Sequence, residues 1–144
     1  MANALFAAYK QVLLGDNAIA GFSVPDLEGG DQRLILIDTA DDDPAIATDQ
    51  DLADIAAAAR EETVALTSES VALSGSTVTY DTADPTFSAA SGDVCEELLI
   101  YEHTGVEGTS LLIVSYDTFA SGMPVTPNGG DIIVTVNASG WFSW

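Results

Sequence analysis

Carboxylates dominate the chemistry this sequence can offer. The 144 residues include 23 Asp or Glu against 3 Lys or Arg, a formal net charge of -20 at pH 7. Adjacent acids occur at Glu61-Glu62, Glu96-Glu97 and Asp41-Asp42-Asp43. Paired carboxylates are the equipment of glycoside hydrolysis, and clustered aspartates supply the hard oxygen donors that calcium prefers. Neither use has spacing behind it. The aspartate run lacks the D-x-[DN]-x-[DN]-G loop, and neighbouring acids are expected by composition in so acidic a chain. Nucleophilic chemistry has even less to draw on: His103 is the one histidine, Cys95 the one cysteine, and no serine sits in a G-x-S-x-G elbow. A Cys95–His103 dyad has only proximity in sequence to suggest it. Zinc needs more soft ligands than this pair.

Phosphate cradles are missing as well, since neither a Walker sequence nor G-x-G-x-x-G occurs. Asn137-Ala138-Ser139 matches a glycosylation sequon, without a signal peptide to give it use. No catalytic, cofactor-binding or metal-ligating set is assigned, and no cofactor is expected.

The charge itself excludes partners. Lys10, Arg33 and Arg60 all precede the midpoint, which leaves His103 as the sole candidate cation afterwards. Nucleic-acid binding takes much of its affinity from basic side chains neutralising phosphates, so neither nucleic acid nor an anionic membrane surface is an expected partner. A hydrophobic content of 47% argues against disorder, so the acidity belongs to a folded surface. Such a surface repels itself at low ionic strength, and salt screens it. With one cysteine no intrachain disulfide exists. Met1 to Phe6 lacks the basic and apolar regions of a secretory signal, and no apolar run approaches the roughly 20 residues of a membrane span. Synthesis in the cytoplasm is expected.

Which elements would position these groups? Length predicts one β-rich domain over residues 1–144, with a helix or arm over 1–15 and a sandwich body over 32–144. Asn3 can cap a helix from Ala4 to Leu14, with Leu5, Ala8, Tyr9 and Val12 on one face and Gly15 as the stop. Thr48 to Ala59 offers a short second helix, with Leu52, Ile55, Ala56 and Ala59 along one side. Arg33 to Asp38 reads as a strand buried on both faces, and Glu62 to Thr67 as a half-exposed one. Val71 to Leu73 and Thr77 to Tyr80 flank a tight turn. Glu97 to His103 and Ser110 to Asp117 form a hairpin apolar on both sides, the expected middle of a sheet. Asp131 to Val136 adds another strand, and Trp141, Phe142 and Trp144 end the chain. The pattern predicts a mainly β protein, an antiparallel β-sandwich or flattened barrel with an N-terminal helix and one short additional helix. Leu5, Phe6, Tyr9, Trp141 and Trp144 are the candidate partner contacts, because apolar groups near chain ends pack either in their own core or on a neighbour.

Several stretches carry a resemblance. Met1-Ala2-Asn3-Ala4-Leu5-Phe6, Leu36 to Asp41, Thr86 to Asp93, Leu99-Ile100-Tyr101 and Pro124 to Asp131 resemble small virion structural proteins of tailed bacteriophages. The ending from Val134 to Trp141 departs from the Lys-containing finish of such proteins. The resemblance implies a non-enzymatic protein that works by assembly in the virion, with copies of itself and major capsid or other virion proteins as partners. Negative charge is repelled by packaged DNA and tolerated outside a shell. The leading expectation is therefore an exterior capsid decoration or cementing protein that bridges capsid subunits. A neck, tail or fibre-base component is the alternative within the virion. A host-surface or glycan-binding module and a small hydrolase using paired acids are the alternatives outside that class.

Overall fold

The computed structural model describes residues 4–14, 22–116 and 122–143. The chain is mainly β, built on antiparallel sheets, with one α-helix of seven residues among the described residues. In chain order the elements are β1 (Ala4–Leu5), α1 (Ala7–Leu13), β2 (Gln32–Ile37), β3 (Arg60–Ala65), β4 (Ser70–Ser74), β5 (Thr77–Asp81), β6 (Thr86–Phe87), β7 (Glu97–Glu102), β8 (Leu112–Tyr116), β9 (Ile132–Ile133) and β10 (Phe142–Ser143). They form a five-stranded sheet of order β1-β8-β7-β2-β3, a three-stranded sheet β10-β5-β4 and a small pair β6-β9.

The predicted central hairpin is β7 and β8, and it lies inside the large sheet. Both alternating sets of its side chains are buried: Leu98 and Ile100 on one face, Leu99 and Tyr101 on the other. Burial of each such aliphatic side chain is worth about 1.5–3 kcal/mol. Cross-strand register puts Leu34, Leu36, Leu98, Ile100, Val114 and Tyr116 on one face. The second sheet covers that face: the Tyr116 ring lies 5.6 Å from Trp141, whose N–H donates to the Tyr80 carbonyl of β5. Tyr80 and Tyr9 of α1 both pack against Phe142 of β10.

Three expectations need correction. Ala4 and Leu5 are not helical; they pair with Ser115 and Val114 along the edge of β8, where unpaired backbone groups make a strand the better use of them. The helix therefore starts at Ala7, capped by an extended Phe6 without a side-chain hydrogen bond. Asn3 and Gly15, its expected cap and stop, lie outside the described residues.

Thr48 to Ala59 forms no α-helix. It holds two 3-10 turns, Leu52–Asp54 and Ala57–Ala59, the first fixed by a capping box between Asp51 and Asp54. Tertiary pairing overrides the helical propensity here, because the Leu52 N–H donates to Ser110 and the Leu112 N–H to Gln50. The strand expected over Asp131 to Val136 shrinks to Ile132–Ile133. Beyond it, the N–H of Val134 is taken by the Pro85 carbonyl and that of Val136 by Asp84.

Candidate functional site

Two of the turn-rich stretches singled out in the sequence run antiparallel against each other. Thr86 and Phe87 pair with Ile133 and Ile132, Ser91 bridges to Asn128, and Cys95 bridges to Val125. Between these rungs, Ala90 exchanges backbone hydrogen bonds with Gly129 and Gly130, while Asp131 accepts from the Ala89 N–H. The strip leads to the end of β2 and the start of β7, where Thr39 donates to the Glu96 carboxylate.

Three carboxylates converge at this end. Asp38, Glu61 and Asp93 place one oxygen each within 4.8 Å of one another. Asp38 is buried, Glu61 half-buried and Asp93 exposed. Gly92 stands against Glu61 at φ +144, where a Cβ would collide with that carboxylate. Oxygen donors of this kind suit a hard divalent cation. They also have local work: Asp38 accepts from the Ala40 N–H and Glu62, beside the trio, from Ser91.

The same economy recurs along the chain. Asp26, Glu28, Asp42, Asp49, Asp51, Asp54, Asp84 and Asp131 each accept a backbone N–H from a loop, a turn or a strand. Much of the acidity thus satisfies backbone donors that a β-rich chain leaves over at its turns. Within Asp41 to Asp43, raised above as a calcium loop, Asp42 serves the Ala56 N–H, and none of the three belongs to the carboxylate trio.

Cys95 and His103 do not form a dyad. They flank opposite ends of β7, separated by roughly 25 Å of extended chain at about 3.3 Å per residue. Cys95 is fully buried, and burial, reinforced by Glu61, Glu96, Asp38 and Asp93, pushes its thiol up to about 12. A thiol so placed stays protonated and unreactive at neutral pH. His103 instead donates its N–H to the Asp31 carbonyl and meets Tyr101 edge-on.

The candidate partner contacts fall mostly inside the molecule. Phe6, Tyr9 and Trp141 are buried in the chain's own core, and Leu5 packs half-buried against it. Trp144 lies outside the described residues.

Exposed apolar surface is found elsewhere, and the sequence reading missed it. Every residue of β4 is exposed, including Val71 and Leu73, the latter at 72%. β4 pairs with β5 on one side and closes the three-stranded sheet on the other. The missed signal was position: Val71 to Leu73 reads from sequence only as a flank of a tight turn, and the sheet order is what reveals an edge.

No protein-family model matches the chain, and no curated protein matches it.

Proposed function

We propose that the chain is a non-enzymatic virion structural protein of a tailed phage, seated on the outside of the head, where it decorates and cements the capsid by bridging its subunits. The observation that carries this reading is the sign and completeness of the surface charge. Net charge is -20, and Arg33 and Arg60, two of its three basic side chains, are engaged by Asp31 and Glu107. Packaged DNA repels such a surface, whereas the outer side of a shell accommodates it. A β-body whose loops are tied down by its own carboxylates also suits a part that works by fit. Cementing strength then comes from modest contacts multiplied by symmetry.

Heat challenge of particles prepared with and without the chain tests the reading. Particles lacking it should release DNA at a lower temperature, and adding the purified chain back should restore retention. Equal robustness of both preparations would refute a cementing role.

A further inference from the structure

We infer that the open edge of β4 is the seat of an added β-strand, supplied by an extended, basic segment of a different protein. Among the described residues no strand pairs with the outer side of β4. The Val71 N–H points away from β5, since it donates to the Glu28 carboxylate. Antiparallel ladders alternate inward and outward groups every second residue. The N–H of Leu73 and the carbonyls of Val71 and Leu73 therefore face outward too. A row of such groups is a template for another chain.

Side-chain chemistry specifies the strand that fits. Val71 pairs across with Tyr80 and Leu73 with Val78, so both lie on the same face as the buried Tyr80. They extend the core as an apolar shelf, exposed at Val71 and Leu73, and among the described residues no strand lies on its outer side. Ser70, Ala72 and Ser74 occupy the opposite face. An incoming strand would lay apolar residues beside Val71 and Leu73 and turn polar ones to the serine face.

Charge selects among such strands. Glu28 caps the edge in its plane, Glu69 precedes it and acts on Tyr80, and Asp81 stands opposite Ser70. Arg33 and Arg60 are committed to Asp31 and Glu107. A second copy would bring its own net charge of -20 and the same carboxylates to the seam. A segment alternating apolar residues with Lys or Arg meets both conditions. Its carbonyl takes the Val71 N–H, and its cation takes the released Glu28.

The test uses the isotope-labelled full chain and a nine-residue peptide alternating valine with lysine. One control peptide carries glutamate for lysine, and another keeps the lysines but is interrupted by proline. Binding should slow hydrogen exchange of the Val71 and Leu73 amides at least tenfold, and neither control should do so. Leu73→Pro removes an outward N–H and fixes φ at a position that gives no hydrogen bond to the β5 ladder, and Leu73→Lys puts a like charge on the shelf; each should weaken binding at least tenfold. Binding of either variant as tight as that of the unaltered chain, or protection spread over the acidic surface without Val71 and Leu73, would overturn the inference. So would protection of those amides by self-association without peptide. This inference rests on the assembly reading only for the class of partner. Particles lacking the chain would end the virion role and leave the edge standing, whereas peptide failure would remove the edge alone.

Discussion

The Tyr116 hydroxyl donates a 2.6 Å hydrogen bond to the backbone carbonyl of Trp141. Trp141 in turn donates its backbone N–H to Tyr80 and its indole Nε1–H to the Thr82 hydroxyl at 2.8 Å. One residue near the end of the described chain thereby joins β8 of the large sheet to β5 of the small one. Gly140 makes the approach feasible, because at φ +73 a Cβ there would collide with the Tyr80 carbonyl. Tyr116→Phe keeps the ring and removes the donor from a buried site. We expect a loss of about 1–2 kcal/mol in unfolding free energy, read by urea denaturation; an unchanged midpoint would show that the two sheets do not depend on this link.

Cys95 provides a second check, on the acidic end of the sheet. With the thiol buried and held at about 12, a disulfide reagent at pH 8 should label the native chain no faster than it unfolds. In denaturant the same cysteine should react within the mixing time. Fast labelling of the native state would place Cys95 nearer solvent than the bridge to Val125 allows.

Stability should pass through a maximum on the acid side of neutrality. Glu102, Asp49 and Asp51 are held above the ordinary carboxylate value, in each case chiefly by burial. A carboxyl whose pKa is higher folded than unfolded binds its proton more tightly in the folded chain, so its contribution grows as pH falls through that window. Asp31 and Glu107 are held low, first by their hydrogen bonds to Arg33 and Arg60. Their contribution is complete above the unfolded value of about 4 and disappears as pH falls through the depressed one. Urea midpoints should therefore rise as pH falls from neutrality toward the ordinary carboxylate range and drop once pH falls below it. A steady decline from neutrality would contradict this assignment.

Salt should act in one direction. Exposed charges of one sign repel over about 10 Å at 0.1 M ionic strength and about 3 Å at 1 M, so the melting temperature should climb with sodium chloride across that range. A melting temperature independent of salt would mean that the carboxylates are already balanced by the backbone donors they accept.

The central strands were legible because their signal is local and strong. Leu98 to Tyr101 and Leu112 to Val114 are apolar on both faces, and at this length beside a glycine-containing turn such a run suits a strand covered on both sides. Segments whose state is set by distant partners were not legible. Ala4 and Leu5 read as helix and become strand because β8 has a free edge, and Thr48 to Ala59 loses its helix to pairing with Ser110 and Leu112. Clustering was invisible for the same reason: Asp38, Glu61 and Asp93 are far apart in sequence and meet where three strand ends converge. The terminal aromatics show the converse. Both a core and a partner were open to them, and Phe6, Tyr9 and Trp141 are taken by the core, which moves the search for contact surface to β4.

The most direct test of the assembly role is stoichiometric. Quantitative mass spectrometry of purified particles from the source system would give copies of this chain per major capsid protein. A cementing role on the head predicts a ratio of one, or a simple fraction of it. A handful of copies per particle would move the chain to the neck or tail, and its absence would contradict a virion role altogether.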